Sequence, residues 1–301
     1  MNGLTLKQLR YFEALSRYGH FGRAADACAI SQPALSVQIK ELERSLGLPL
    51  FERSARSVRL TAFGETWLQR VQGVLRDVDE LGEMARAAQG GGMGRLRLGV
   101  IPTIAPYLLP ALIGALRKND STQDLEVRET MTERLIAELV EGRIDTAIVA
   151  LPIDEPALTE MALFSESLML VRPRVDAGRP VPSREDLRDM RLLMLEQGHC
   201  FRDQALDFCS VQRSARADGL DGSSLATLVQ MVGAGIGVTL IPEMAVAVET
   251  RAAPVVVGRF APPEPERTVG LIWRKTNPLA SQFEALGTQI REIAVHLPKP
   301  D

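Results

Sequence analysis

The run Gly90-Gly91-Gly92-Met93-Gly94 constrains this chain most, because helices and strands rarely continue through four glycines in five residues. It reads as a hinge over residues 90–94 that divides the chain into two parts with different hydrophobic periods. Before it, apolar residues recur every three or four positions, as helices require. After it, short apolar runs of strand length alternate with helical stretches. The 301 residues also exceed one ordinary core and suit two or three domains.

In the first part, Leu6, Leu9, Phe12 and Leu15 predict a helix over residues 5–17, and the small residues of 22–28 a short second one. Ser31 is suited to cap a third helix. Pro33 falls in its first turn, where a missing N–H costs nothing. Leu35, Ile39, Leu42 and Leu46 form that helix's apolar stripe, and Gly47 ends it. Residues 50–60 read as a strand pair around a basic turn. From 61 to 89 runs one long helix, where Trp67, Val71, Val74, Val78, Leu81 and Ala85 keep a heptad spacing. That spacing suits either a dimerising linker or a helix packed on its own domain.

Three helices with a tight turn before the third have helix-turn-helix geometry, and the third helix of such a unit enters the major groove. Its early polar positions are the candidate base readers. Gln32 suits adenine edges, Pro33 and Val37 thymine methyls, and Ser36, Gln38 and Lys40 bases or phosphates. Arg53, Arg56 and Arg59 in the strand pair suit phosphates or a narrow minor groove. Charge agrees: residues 1–60 carry nine Lys/Arg against five Asp/Glu, while the whole chain is at −3. A basic head on an acidic body suits a polyanionic partner.

Beyond the hinge, strands are expected at 95–101, 125–130, 146–151, 168–172, 191–195, 237–241 and 268–273. Helices are expected at 107–118, 132–142, 223–234 and 279–294. That alternation implies parallel sheets covered by helices. No apolar run approaches the ~20 residues of a membrane span, and residues 1–7 do not read as a signal peptide. Three cysteines, Cys28, Cys200 and Cys209, make a poor disulfide framework and suit a reducing, cytoplasmic setting. Three histidines without a ligand cluster, CxxC, GxGxxG or Walker-type loop give no expectation of a metal, a cofactor or an enzyme.

The ordered run Phe21-Gly22-Arg23-Ala24-Ala25-Asp26, then Ser31-Gln32-Pro33-Ala34-Leu35-Ser36-Val37-Gln38-Ile39-Lys40-Glu41-Leu42-Glu43, then Gly47 and Leu50-Phe51-Glu52-Arg53, closely resembles the LysR-type transcriptional regulators. The resemblance implies an α+β multidomain chain. It would hold a winged helix-turn-helix (1–60), a linker and dimerisation helix (61–89), the hinge, and a regulatory region (95–301). That region would comprise two α/β subdomains like a periplasmic binding protein, about 95–165 with 268–301, and about 166–267. The partners implied are operator DNA, RNA polymerase and further copies of the chain, in a tetramer built as a dimer of dimers. Most relatives respond to a small metabolite between the subdomains, and that alternative stays open.

One segment points elsewhere. His199-Cys200-Phe201-Arg202-Asp203-Gln204, with Cys209 nine residues after Cys200, resembles the redox segment of the OxyR-type regulators, the hydrogen-peroxide sensors of the family. A peroxide-sensing cysteine must react as thiolate. His199 and Arg202 are each able to favour the anion at Cys200, as is a nearby helix start. The sulfenic acid formed can be resolved by a second thiol, and Cys209 is the one available in this region. If residues 201–209 are helical, nine residues at ~1.5 Å each hold the two Cα atoms about 13 Å apart. A disulfide needs roughly 4.4–6.8 Å, so oxidation would have to unwind the segment. Cys209 read as a buried apolar thiol is the bland alternative, and Cys28 reads as core. The resemblance also implies pocket hydroxyls at Thr103 and Thr132, although helix capping explains either equally well. Phe201 stands where the common motif has an aliphatic residue.

Overall fold

The computed structural model describes residues 3–53, 58–88, 94–119, 124–209 and 221–298. The chain divides into two units, 1–85 and 86–301.

In the first unit the helix boundaries are set by local hydrogen bonds. Helix α1 (Leu6–Tyr18) opens on a capping box: Gln8 N donates to Thr5 Oγ1, and Thr5 N donates to Gln8 Oε1. It ends at Gly19, whose φ of +58° is left-handed. Helix α2 (Phe21–Ala27) is capped by His20, whose Nδ1 accepts from Gly22 N at 3.0 Å. Helix α3 (Gln32–Leu46) is capped by Ser31, whose Oγ accepts from Ala34 N, and it ends at Gly47 with φ +70°. Strands β1 (Phe51–Arg53) and β2 (Val58–Leu60) pair antiparallel. Glu43 on α3 fixes this wing by accepting from Leu50 N and Phe51 N, at 2.9 and 3.1 Å. Phe12, Leu15, Leu35, Ile39, Leu42 and Leu50 make the core.

Helix α4 (Ala62–Ala88) is the expected long helix, but its heptad positions do not share one environment. Trp67 and Val71 belong to the head's own core, with the Trp67 ring 4.7 Å from that of Phe12. Val74 and Leu81 are 44% and 64% exposed. The seam therefore serves intramolecular packing at its start and leaves an apolar stripe further on. The hinge residues 90–93 lie outside the described residues.

The second unit is built on a seven-stranded sheet, ordered β4-β3-β5-β9-β6-β7 with β8 also on β6. Its strands are β3 (Arg95–Val100), β4 (Asp124–Glu129), β5 (Thr146–Leu151), β6 (Leu158–Pro173), β7 (Thr239–Pro242), β8 (Val255–Gly258) and β9 (Glu266–Arg274). The helices are α5 (Ala105–Asn119), α6 (Thr132–Val140), α7 (Cys200–Cys209), α8 (Leu225–Gly233), α9 (Glu243–Glu249) and α10 (Ala280–Val295).

Three expectations need correction. The sheet is mixed: β3 is parallel to β4 and β5, but β9 runs antiparallel to both β5 and β6. The strand expected at 168–172 is the second half of the 16-residue β6. A register shift between Ala162 and Phe164 breaks its alternation, which hides the first half from a period-two reading. The strand expected at 191–195 reduces to two isolated parallel bridges, Leu192 with Val238 and Leu195 with Gly222. Its partners change side within four residues, so no ladder forms. Helix α9 and strand β8 are additions to the expected elements. Among the described residues no helix is long and apolar enough to cross a membrane.

Candidate functional site

The expected redox segment is helical, the condition under which its spacing keeps the two cysteines apart. Helix α7 begins at Cys200 and ends at Cys209. At ~1.5 Å per residue, the helix holds their Cα atoms about 13 Å apart, beyond disulfide reach. The side chain of Cys209 is outside those described. Before the helix, Gly198 takes φ +97°, and a Cβ placed there would sit 2.6 Å from Met131 Sδ. Only glycine permits both that backbone and that approach.

The segment 198–201 closes over the loops that follow β3 and β4. Between them lies a cavity of about 10 Å³, at the lower limit for one water-sized molecule. Thr103, Thr132, His199 and Cys200 all line it, together with Ile101, Pro102, Met131, Gly198 and Phe201. Four of the expected site residues, from three segments distant in sequence, thus meet at one point.

Their partners distinguish their roles. Thr132 opens α6 without capping it, and its buried Oγ1 has no hydrogen-bond partner among the described residues. Such an orphaned hydroxyl costs free energy unless something in the cavity satisfies it. Thr103 Oγ1 accepts from Arg267 Nη1 at 2.9 Å, which leaves its own proton free to be donated. His199 is buried, and burial holds its pKa below the ordinary histidine value, with Glu196 pulling weakly the other way. A neutral imidazole, able to donate or accept, is therefore favoured over a cation.

Arg202 has a structural task. Its Nη1 donates to Leu195 O at 2.5 Å and to Asp221 Oδ2 at 2.7 Å, stapling α7 to the segments on either side. The guanidinium that reaches the cavity wall is Arg267, which the sequence reading missed. Its side chain is fully buried. Nε donates to Glu166 Oε1 at 2.8 Å, and Nη2 to Thr103 O at 3.0 Å. Glu166 in turn accepts from Met244 N at 3.0 Å, which anchors the start of α9. The guanidinium carbon lies 5.5 Å from the Phe201 ring centroid, a cation–π contact that an aliphatic residue would not make. A signal did exist: Arg267 shares a strand face with Val269, Leu271 and Trp273, and a charge at an inward position requires a buried partner.

Beside the small cavity opens a cleft of about 400 Å³, walled in part by the same Pro102, Thr103, Met131 and His199. Tyr107 on α5 spans it, donating its hydroxyl to Glu249 Oε1 on α9 at 2.7 Å. Burial, then the Glu249 carboxylate, pushes the phenol pKa up and keeps that proton in place.

On the head, the candidate base readers share the outer side of α3. Gln32, Pro33, Val37 and Lys40 are exposed, while Ser36 and Gln38 are half-buried. Gln38 also donates to Glu41 Oε2 at 3.0 Å. Arg59 is exposed on β2. Arg53 ends β1 with its side chain undescribed, and Arg56 lies outside the described residues. Cys28 follows α2 half-buried against the head core, where burial raises its thiol pKa.

Two family models match almost the whole chain. The bacterial regulatory helix-turn-helix protein of the lysR family covers residues 6–65, and the LysR substrate binding domain covers 89–294. This chain belongs to the LysR family. Within it, the regulator is 43% identical over 298 residues to a probable hydrogen peroxide-inducible genes activator of Streptomyces viridosporus, covering 98% of this chain and 96% of that one. It is 41% identical over 294 residues to the DNA-binding transcriptional dual regulator OxyR of Escherichia coli K12, covering 96% and 95%. Among solved structures, a full-length OxyR variant from Pseudomonas aeruginosa matches with TM-score 0.75 at 36% identity, covering 100% of this chain and 99% of that one. An H2O2-bound OxyR mutant from Corynebacterium glutamicum matches at 0.68 and 33%, covering 97% and 93%. These relatives place the regulator in the OxyR branch of the family.

Proposed function

We propose that this regulator senses hydrogen peroxide through Cys200 and controls oxidative-stress genes from extended operator sites. The observation that carries the reading is the cavity. A cysteine at the first position of a helix shares a space of one-molecule size with the unpartnered hydroxyl of Thr132 and the Arg267-bound hydroxyl of Thr103. Attack on peroxide requires the thiolate form of the cysteine. Two hydroxyls at fixed positions suit an oxidant whose two oxygens both accept hydrogen bonds. The thiolate sulfur attacks one oxygen, the O–O bond breaks, and the second oxygen leaves as hydroxide that gains a proton to become water. The sulfenic acid at Cys200 then condenses with the Cys209 thiol, giving a disulfide and a second water.

Because α7 spaces the two cysteines too far apart, the disulfide requires the helix to unwind. Unwinding removes the Arg202 staple and the Phe201 contact with Arg267. That is a two-state element biased by one covalent bond. The sensor is stoichiometric and is reset by dithiol reductants. In this reading the chain acts in the cytoplasm as a tetramer, reads DNA with Gln32, Pro33, Ser36, Val37, Gln38, Lys40, Arg53 and Arg56, and engages RNA polymerase.

The test treats fully reduced protein anaerobically with one equivalent of hydrogen peroxide for seconds, blocks free thiols and maps peptides without reductant. A Cys200–Cys209 crosslink with Cys28 free is expected. If Cys200 and Cys209 stay reduced, the peroxide reading fails. A small metabolite in the 400 Å³ cleft becomes the alternative, signalled by a ligand-dependent melting shift and by normal signalling from Cys200→Ser.

A further inference from the structure

The cavity at Cys200 and the adjoining cleft differ about forty-fold in volume, and yet they share a wall. Four residues line both spaces, Pro102, Thr103, Met131 and His199, and of these Met131 and His199 carry the largest side chains. Met131 is the longer-reaching of the two. It stands at the start of α6, and its sulfur packs against Gly198, where a Cβ would lie 2.6 Å away. The thioether therefore bridges from the β4–α6 loop to the turn just before Cys200. His199 is held by its burial and by the Arg202 N–H bond to its carbonyl, at 2.9 Å. Thr132 waits inside, and Tyr107 and Glu249 line the outer space.

We infer that Met131 is a specificity-determining residue, a size filter that admits hydrogen peroxide from the cleft to Cys200 and excludes bulky organic hydroperoxides. The inference rests on the peroxide reading of Cys200. A space at the lower limit for one water-sized molecule accepts two oxygen atoms only with small adjustments of its walls. Met131 supplies such adjustment, since an unbranched thioether with three rotatable bonds yields readily to a small molecule. A tert-butyl group adds four carbons that the Met131 side chain blocks. The chemistry is the same for either oxidant. A sulfur–oxygen bond forms at Cys200, the O–O bond breaks, and the thiol's proton ends on the leaving oxygen, as water or as tert-butanol. Access is what differs.

The test compares the second-order rates at which hydrogen peroxide and tert-butyl hydroperoxide consume the Cys200 thiol in the reduced full-length protein, by rapid quench and peptide mass spectrometry. In Met131→Ala the cleft and the cavity merge. The preference for hydrogen peroxide is expected to narrow by about tenfold or more, through a faster tert-butyl hydroperoxide rate, the scale on which pocket shape discriminates. Met131→Leu keeps the bulk without the sulfur and is expected to keep the wild-type ratio. Met131→Val, tested alongside, carries the same expectation as the alanine variant if alanine prevents folding. An unchanged ratio in the shortened variants overturns the filter, as does an equal narrowing in Met131→Leu. If hydrogen peroxide itself leaves the wild-type Cys200 thiol intact, the peroxide reading falls and the filter with it, a result distinct from the other two.

Discussion

The DNA-facing head and the redox cavity are assembled by opposite strategies. In the head, each helix start is capped by a side chain beside it: Thr5 for α1, His20 for α2 and Ser31 for α3. The reading face is a single helix, and its candidate contacts lie within nine consecutive residues. The redox cavity is drawn from three distant segments, at 101–103, 131–132 and 198–201. Its buried cation comes from β9, and that cation's counter-ion from β6. A local device tolerates rearrangement elsewhere in the chain. A site of long-range contacts is disturbed as soon as one contributing segment moves. That sensitivity suits a sensor, and local construction suits a helix-turn-helix whose determinants lie within its own segment.

The strongest way to break this comparison is to remove one partner of the long-range ion pair. Arg267→Met leaves Glu166 buried without its counter-charge, and the regulatory unit is expected to lose about 3–5 kcal/mol in denaturant unfolding. Arg267→Met with Glu166→Gln should recover a large part of that loss. The head, followed by its own unfolding transition, should not change. Full stability in the single variant would remove the distinction between the two strategies.

A smaller effect is expected at the reading face. Gln32→Ala should reduce discrimination between adenine and other bases at one operator position by about 1–3 kcal/mol, read from competition binding at fixed salt. Stability should stay unchanged, since Gln32 is exposed. At the cap, Ser31→Ala should cost about 1 kcal/mol of head stability. Its melting shift should leave peroxide reactivity at Cys200 untouched.

The smallest effect concerns pH. Burial holds His199 below the ordinary value of 6.5, so the folded unit keeps it neutral where the unfolded chain would bind a proton. Stability from this source is therefore full above about 6.5 and is lost as pH falls below it. His199→Asn should flatten the pH dependence of unfolding just below about 6.5 by less than one proton. An unaltered slope would mean that the imidazole gains its proton without cost in the folded state.

The head was legible because its determinants are close in sequence: caps, a proline in a first turn and glycines at helix ends act within a few residues. The α7 spacing of Cys200 and Cys209 was legible for the same reason. The two threonines were reached only through family resemblance. Their surroundings could not be read at all, since neither Arg267 nor Met131 lies within 60 residues of Cys200. Arg202 shows the other side of the same point, since its hydrogen bonds could not be read from spacing. Closeness in sequence suggested that it serves the thiolate, whereas its guanidinium holds Leu195 and Asp221.

By itself, then, the sequence determined the helix periods, their end signals and, once the segment is helical, the separation of two thiols along it. These follow from side chains acting on their own backbone. The tertiary structure alone decided which hydroxyl was left unpartnered among the described residues, which arginine holds Thr103, how the strands were directed, and that Met131 lines both a small space and a large one. Each of those depends on the packing of segments far apart in the chain, where burial, and not spacing, sets what a polar group must find.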